Sequence, residues 1–254
     1  MQEKKLHLKN ISKSFGGRKV VDIKELTLGT HGIEGLIGPN GAGKTTLINL
    51  ITHKLRMDGG QVLYYTNGNE IDISNKSFDE IARFGMVRTN QVIQDFQSLS
   101  IRDSLLLSLA TPEYERLYSI FSEKKLRKAA EQDIAKYLDY FHFENPDGHA
   151  LSAGEKKLLD IIRCLLLKPK VLLMDEPTCG LPQDQTDLVI ALMRKKTVEE
   201  GMSILIVEHD LDLIWGVSEN VYFMAEGEIL IQGPPEEVRK NKTVVKKYMG
   251  EGDA

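Results

Sequence analysis

The residues with the clearest chemistry form a glycine-rich loop between two apolar segments. The loop reads Gly38-Pro39-Asn40-Gly41-Ala42-Gly43-Lys44-Thr45-Thr46 and fits the phosphate-binding pattern G-x-x-x-x-G-K-[ST]. Glycines let successive backbone N–H groups point at phosphate oxygens, and the partial positive charge of a helix N-terminus adds to the attraction. We expect the Lys44 ammonium to reach the β- and γ-phosphates and the Thr45 hydroxyl to bind Mg²⁺. The loop therefore predicts binding of a nucleoside triphosphate.

A second reactive position is predicted where an apolar strand ends in two acids. Val171 to Met174 is a continuous apolar run, typical of a parallel strand buried on both faces, and Asp175 and Glu176 follow it. Ligands bind beyond the carboxyl ends of such strands. We expect Asp175 to hold Mg²⁺ through water, and Glu176 to polarise the attacking water as a general base. Either acid alone also fits a helix N-cap or a solvated turn, but the loop upstream favours the catalytic interpretation.

The elements that must position these residues alternate between strands and helices. A strand is predicted from Ile33 to Ile37 before the loop, and a helix with an apolar face from Leu47 to Ile51 after it. The later predicted elements are a helix at 154–167, strands at 171–174 and 203–207, helices at 184–199 and 211–217, a hairpin at 221–231 and a charged helix from Pro235. This alternation predicts an α/β fold whose core sheet is mostly parallel, with helices on its faces.

Two regions depart from the alternation. Near the N-terminus, residues 6–11 and 20–23 flank the turn residues 14–17, and Asn67-Gly68-Asn69 marks a second hairpin, so we predict an antiparallel β region. From about 99 to 148 the chain is highly charged, with helical spacing of its apolar residues. We predict a single domain in which residues 1–98 and 149–254 form the α/β core lobe and about 99–148 an inserted α-helical subdomain.

Composition narrows the class of protein. The 254 residues are 41% hydrophobic and 28% charged, as in soluble globular proteins, and a net charge of −4 gives no electrostatic reason to expect nucleic acid as a partner. Two cysteines, Cys164 and Cys179, are too few for a disulfide framework and favour a reducing compartment. The charged start does not fit a signal peptide, and the longest apolar stretch, 158–167, is too short to span a bilayer. We therefore expect any membrane crossing to be made by another chain.

Several short motifs resemble those of ATP-binding cassette (ABC) ATPases. Leu151-Ser152-Ala153-Gly154-Glu155-Lys156-Lys157 resembles the family's signature motif, and it stands shortly before the strand-end acids as in that family. Gln91 matches the glutamine of the Q-loop, His209 matches the switch histidine, and Phe15 matches the aromatic residue that stacks on adenine. Six motifs in this order span nearly the whole chain, which is thereby identified as a member of that family with its P-loop NTPase fold.

The resemblance assigns roles around the nucleotide. It implies ATP and Mg²⁺ as cofactors, with Thr45, Gln91 and Asp175 as the metal-binding residues. It implies that His209 contacts the γ-phosphate and helps to organise Glu176. It also places Gln91 between the γ-phosphate and the helical subdomain, so that the nucleotide state could move that subdomain.

The resemblance also implies pairing with a second cassette. Ser152, Ala153, Gly154 and Glu155 would bind the γ-phosphate of the ATP on the other subunit, so that two cassettes close head-to-tail around two nucleotides. A serine hydroxyl and backbone N–H groups at a helix start suit an anion. A capping box between Ser152 and Glu155 is the plain structural alternative, and it is compatible with the same role.

Within the family, three stretches look like the ATPase subunits of branched-chain amino acid importers and their urea-uptake relatives: residues 85–91, 207–211, and the ending 233–238 with Tyr248-Met249-Gly250. This resemblance implies an ATPase that powers uptake of branched-chain amino acids or a similar small polar solute. The implied partners are transmembrane permease subunits, a second identical or paralogous cassette and a solute-binding protein. The implied location is peripheral, on the cytoplasmic side of the cell membrane.

The sequence also departs from the family pattern. Ala153 and Glu155 replace the usual glycine and glutamine of the signature, Pro182 replaces an Asp or Asn, and Asn90 replaces an aromatic residue. Glu155 brings a carboxylate near a partner's phosphates, and Pro182 lacks a backbone N–H. We hypothesise that these changes weaken self-pairing and favour a non-identical partner. An export ATPase, a soluble non-transport ABC ATPase and a regulatory cassette with little turnover are the alternative functions.

Overall fold

The structure is a computed structural model that describes residues 4–89, 99–109, 120–145, 147–148 and 151–249, with side chains from residue 127 onward in the helix that begins at Ile120. The expected site residue Gln91 and its neighbour Asn90 lie outside the described residues. The strands are β1 (Leu6–Phe15), β2 (Arg18–Leu28), β3 (Ile33–Ile37), β4 (Gly59–Thr66), β5 (Asn69–Asp72), β6 (Met86–Arg88), β7 (Val171–Asp175), β8 (Ser203–Val207), β9 (Asn220–Ala225) and β10 (Glu228–Gly233). The helices are α1 (Lys44–Ile51), α2 (Phe78–Arg83), α3 (Ile101–Ser108), α4 (Ile120–Tyr140), α5 (Ala153–Leu166), α6 (Gln183–Glu200), α7 (Leu211–Val217), α8 (Pro235–Lys240) and α9 (Lys242–Met249).

The described strands form two sheets. One has the order β10-β9-β3-β8-β7-β6, and all of its pairs are parallel except the β9–β10 hairpin. The other has the order β2-β1-β4-β5 and is antiparallel throughout. These sheets confirm the predicted α/β class, the mostly parallel core sheet and the N-terminal antiparallel region with its two hairpins.

The parallel sheet places the ends of its central strands side by side. Every residue of β3, β7 and β8 is buried, as expected for strands with both faces covered. Helix α1 buries Leu47, Ile48, Leu50 and Ile51 in a core that it shares with both sheets. Because β3, β7 and β8 are parallel neighbours, the residues that follow them lie at one edge of the sheet.

The C-terminal region differs from the prediction. We predicted one charged helix from Pro235, but the chain forms α8 and α9 with a break at Asn241. Asn241 has extended backbone angles, and its side-chain oxygen accepts the Thr243 N–H at 2.9 Å. The asparagine therefore ends one helix and caps the next. Asparagine is favoured at such positions because its side chain can accept a hydrogen bond from a backbone N–H at the start of a helix.

The chain divides into two compact units. One comprises Met1–Arg88, Lys170–Pro177 and Leu192–Ala254, and the other Thr89–Pro169 and Thr178–Ala191. The first unit contains both sheets and the glycine-rich loop; the second contains α3, α4 and α5. The limits of the helical subdomain at 99 and 148 stay a prediction. Among the described helices, none combines the length and the apolar character that crossing a bilayer requires.

Candidate active site

The glycine-rich loop follows β3 and packs closely on β9 and β2. A Cβ atom on Gly38 would lie 2.0 Å from the Met224 carbonyl oxygen, so no side chain fits there. Gly43 has a φ of 104°, and a Cβ atom on it would lie 2.7 Å from the Val20 carbonyl oxygen. Glycine is required at both positions by close backbone approach, and Gly43 also requires it for its left-handed conformation. The loop leads directly into α1, whose first residue is Lys44.

The Lys44 ammonium is held inside the loop. Lys44 is buried, and its Nζ donates to the Gly38 carbonyl at 2.6 Å and to the Pro39 carbonyl at 3.1 Å. Burial lowers the pKa of Lys44, while the carboxylates of Asp175 and Glu176 oppose that shift. Two hydrogen bonds and two nearby acids compensate the ammonium for its lost hydration. The ammonium is therefore already in the loop that we expect to receive phosphates.

Asp175 is the last residue of β7 and is 4% exposed. Burial raises the pKa of its carboxyl group; a hydrogen bond with the Thr45 side chain and the charge of Arg88 oppose this shift. An Arg88 Nη2 atom lies 4.0 Å from Asp175 Oδ2, with both side chains buried. Asp175 and the Thr45 hydroxyl thus meet at the edge of the loop.

Glu176 turns away from the direction of Asp175. Its φ is 50°, a left-handed conformation that costs a non-glycine residue on the order of 1 kcal/mol or more, and its N–H donates to the Val207 carbonyl at 2.8 Å. The turn brings Glu176 Oε1 to 2.9 Å from Nε2 of His209, whose side chain is 54% exposed. The left-handed backbone of Glu176 thus directs its carboxylate toward His209.

One cavity is lined by Lys44, Glu176 and His209, but not by Asp175. It has a volume of about 300 Å³. The residues that line it are Val20, Asn40, Gly41, Ala42, Gly43, Lys44, Thr45, Thr46, Glu176, Val207 and His209. The structure therefore brings together most of the glycine-rich loop, the proposed base and the histidine. Backbone N–H groups, an ammonium and a carboxylate around one cavity can bind a polyphosphate and activate water beside it.

Phe15 and the signature residues are not among those that line the cavity. Phe15, at the end of β1, is 48% exposed and does not line the cavity; the Lys13 ammonium lies 5.6 Å from its ring centroid. In the second unit, the Ser152 hydroxyl accepts the Glu155 N–H at 3.2 Å and Glu155 Oε2 accepts the Ser152 N–H at 2.8 Å. The capping box considered from the sequence is therefore present at the start of α5.

Two residues near the loop, Arg88 and Tyr248, have no role that the sequence motifs predict. Arg88 is buried, contacts the Asn49 side chain and lies beside Asp175. Its signal is a charged residue directly after the apolar pair Met86 and Val87, but β6 is too short for a periodic pattern. The Tyr248 hydroxyl accepts the Gly38 N–H at 2.7 Å. No local pattern reveals this contact, because 210 positions separate the two residues.

Known proteins that are similar to this chain identify its family. The ABC transporter family model matches residues 22–179. The probable branched-chain amino acid transport ATP-binding protein LivG of Methanocaldococcus jannaschii is 35% identical, over 97% of each chain. The high-affinity branched-chain amino acid transport ATP-binding protein LivG of Escherichia coli (strain K12) is 31% identical, over 99% of this chain and 100% of the relative.

Solved structures similar to this chain are cassettes of ABC transporters. The crystal structure of an ATP-binding cassette of an ABC transporter in its ADP conformation has a TM-score of 0.79 and 30% identity, and covers 98% of this chain and 100% of that chain. A nucleotide-free cassette from an ABC transporter gives a TM-score of 0.80 with the same identity and coverage. The resemblance inferred from the motifs is confirmed along nearly the whole chain. The chain belongs to the ABC transporter family, as an ATP-binding ATPase cassette.

Proposed function

We propose that this chain is the ATP-hydrolysing subunit of an importer for branched-chain amino acids or a similar small polar solute. The observation that carries the proposal is the full-length likeness to proteins named for branched-chain amino acid transport, at 31% to 35% identity. The likeness is not limited to the nucleotide-binding motifs that many ATPases share. It extends over 97% to 99% of the chain, including the C-terminal region.

The cavity supports a specific route for hydrolysis. Backbone N–H groups of the loop and the Lys44 ammonium bind the β- and γ-phosphates of ATP. Glu176 orients a water molecule and accepts its proton as the oxygen bonds to the γ-phosphorus. The bond between that phosphorus and the β–γ bridging oxygen breaks, which leaves ADP and inorganic phosphate. His209, 2.9 Å from the Glu176 carboxylate, holds the base in place and contacts the γ-phosphate.

The residues at the edge of the loop fit Mg²⁺. The Thr45 hydroxyl and the Asp175 carboxylate are hydrogen-bonded to one another, and both are oxygen ligands of the kind that this hard cation prefers. The Thr45 hydroxyl would bind the ion directly, and the Asp175 carboxylate would hold it through one of the waters that Mg²⁺ commonly keeps. When bound, the ion neutralises charge that develops on the phosphates. Gln91 remains a proposed third contributor.

The remaining site residues complete the proposed assembly. Phe15, whose ring is half exposed, stacks on the adenine. Ser152, Ala153, Gly154 and Glu155, at the N-terminus of α5, bind the γ-phosphate on a second cassette. This second cassette is identical or paralogous, and transmembrane permease subunits hold both at the cytoplasmic side of the cell membrane. A solute-binding protein delivers the cargo, and nucleic acid has no part in the cycle.

Uptake by cells tests the proposal. We would measure entry of radiolabelled leucine, isoleucine and valine into source cells that carry Lys44→Ala in place of the wild-type chain, with lysine uptake as the control. We expect loss of high-affinity entry of the three branched-chain amino acids and no change for lysine. Unchanged branched-chain uptake would refute the assigned cargo. In that case, Lys44-dependent ATP hydrolysis by the purified chain would still support an ATPase, serving another solute or export.

A further inference from the structure

A tyrosine at the end of the chain bonds to the first residue of the phosphate-binding loop. The Tyr248 hydroxyl, in the last turn of α9, accepts the Gly38 N–H at 2.7 Å. Its ring packs on Phe223 of β9, with 5.8 Å between the ring centroids. Phe223 is the register partner of Ile37, which precedes Gly38. The C-terminal helix therefore touches both the loop and the strand pair from which the loop emerges.

Several contacts hold α9 in this position. Val244 on the helix is buried, and the Lys247 ammonium pairs with the Glu226 carboxylate in the turn between β9 and β10. Asn241 caps the helix start. Burial raises the pKa of the Tyr248 hydroxyl, while the Gly38 N–H opposes this shift, so the phenol stays protonated near neutral pH. The contact with Gly38 is thus one part of a docked helix, made by a neutral hydroxyl.

Gly38 is bonded on both sides. Its N–H goes to Tyr248, and its carbonyl accepts the Lys44 ammonium at 2.6 Å. A glycine has little intrinsic preference for one backbone conformation, so its orientation depends on such external bonds. A buried backbone N–H without a partner is also costly. If the tyrosine bond is lost, φ of Gly38 is freer to change, and such a change displaces the Gly38 carbonyl that accepts the Lys44 ammonium.

We propose that Tyr248 is a positioning residue for the phosphate-binding loop: its hydroxyl orients Gly38 and thereby pre-orients Lys44 for the phosphates of ATP. The inference rests on the proposed role of this loop in ATP binding and hydrolysis. Tyr248 is not among the residues that line the cavity, so its effect on bound phosphates passes through Gly38. Because coupling between two sites is reciprocal, ATP bound at the loop also stabilises the docked position of α9.

The substitution Tyr248→Phe removes the hydroxyl and keeps the ring on Phe223. The control is Tyr64→Phe. Tyr64 is fully buried whereas Tyr248 is half-buried, but its hydroxyl likewise bonds to the backbone, donating to the Phe84 carbonyl at 2.8 Å, and its ring packs on Phe84 with 5.9 Å between the centroids. With the purified full-length chain we would measure the Kd for ATP-Mg²⁺, the KM and kcat for hydrolysis, and hydrogen exchange at the Gly38 amide.

For Tyr248→Phe we expect a rise of roughly three- to tenfold in Kd and KM, the size that loss of one hydrogen bond produces, with kcat nearly unchanged. Exchange at the Gly38 amide accelerates in the nucleotide-free chain. Tyr64→Phe leaves Kd, KM and Gly38 exchange at the wild-type values, even if it lowers the Tm. Lys247→Ala, which loosens α9 without touching the loop, shifts Kd in the same direction as Tyr248→Phe.

Three results would overturn the inference: a Kd for Tyr248→Phe within twofold of wild type, unchanged Gly38 exchange, or equal rises in Kd for both tyrosine variants. Equal rises would mean that the loop responds only to general loss of stability. Failure of the proposed role of the loop would look different, because the wild-type chain would then bind no ATP, or Lys44→Ala would bind it equally well. Failure of the assigned cargo alone would leave the Kd for ATP unchanged. If Tyr248→Phe does not fold, Lys247→Ala decides the matter by the same Kd measurement.

Discussion

Nε2 of His209 lies 2.9 Å from Oε1 of Glu176, although 33 positions separate the two residues in the chain. The parallel sheet explains the contact, because Asp175 at the end of β7 is in register with Val207 at the end of β8. Glu176 lies one residue beyond its strand and His209 two residues beyond its own. The left-handed backbone conformation of Glu176 then turns its side chain toward His209. The strand order brings Glu176 and His209 close together, and the backbone conformation of Glu176 orients its carboxylate toward the histidine.

This relationship predicts the effect of Glu176→Gln. Glutamine keeps the size of the side chain and can still hydrogen-bond His209, but it cannot accept a proton from water. We expect kcat to fall by about 10²- to 10⁴-fold, the usual contribution of a general base, with the Kd for ATP nearly unchanged. Phosphate release and equilibrium nucleotide binding measure the two quantities. The control is Glu228→Gln, at an exposed position of β10, and should match wild type. A variant that keeps more than a tenth of the wild-type kcat would exclude Glu176 as the base.

Phe15 gives a prediction about adenine. Its ring is 48% exposed and ready to stack on a base without rearranging the core. Phe15→Ala should raise the KM for ATP by roughly two- to tenfold, whereas Phe15→Trp should restore it, because stacking on an aromatic ring contributes about 0.5–1.5 kcal/mol. Phe78→Ala removes a phenylalanine of similar exposure and serves as the control. Equal KM values for Phe15→Ala and wild type would show that the adenine binds elsewhere.

Contiguous sequence motifs predicted part of the site, whereas contacts between residues far apart in the chain left no local pattern. The loop from Gly38 to Thr46 and the two acids at the end of β7 were predicted, because both motifs are contiguous and strand–loop–helix patterns are local. The mutual position of Glu176 and His209 followed from the family resemblance, but the 50° φ of Glu176 has no sequence signal. In the sequence, Tyr248 stood out only as part of the Tyr248-Met249-Gly250 stretch, which is similar to the ending of importer ATPase subunits. Its bond to Gly38 depends on the docking of a helix onto a distant strand, which no periodicity encodes.

Glu34 yields a prediction on pH dependence. It is buried in β3, and Oε2 accepts the Gly29 N–H at 2.7 Å while Oε1 faces Thr30, His31 and the Tyr222 hydroxyl. Burial raises the pKa of Glu34 above its ordinary value of 4.5, although these hydrogen bonds oppose the shift. The folded protein therefore binds this proton more tightly than the unfolded chain. The stability that results is fully present below the unfolded pKa and is lost as pH rises through the folded pKa.

Glu34→Gln does not titrate and makes this loss measurable. We expect the free energy of unfolding of Glu34→Gln, minus that of wild type, to increase as pH rises from about 4 to about 7.5, with roughly 1.4 kcal/mol for each unit by which the pKa is raised. Urea denaturation at several pH values gives this difference. Glu228→Gln, which is exposed, should show a nearly constant difference. A difference that stays constant for Glu34→Gln, or falls with pH, would contradict the raised pKa.

The pairing of cassettes gives a prediction at Glu155. Its carboxylate is held by the Ser152 N–H at the start of α5, where the proposed partner's γ-phosphate arrives. Glutamine can accept the same hydrogen bond but removes the negative charge, so repulsion between carboxylate and phosphate disappears. In a Glu176→Gln background, which slows hydrolysis, Glu155→Gln should therefore strengthen ATP-dependent self-association by several-fold.

Light scattering of the purified chain, with and without ATP-Mg²⁺, measures the mass on which this prediction depends. Lys44→Ala in the same background should stay monomeric, because it removes the ammonium that binds the phosphates. The charge of Glu155 opposes self-pairing if the double variant Glu155→Gln, Glu176→Gln dimerises at lower protein concentration than Glu176→Gln alone. If the single variant already forms the dimer equally well, the carboxylate has no effect on pairing, and a tight homodimer of the chain with ATP would contradict the hypothesised preference for a non-identical partner.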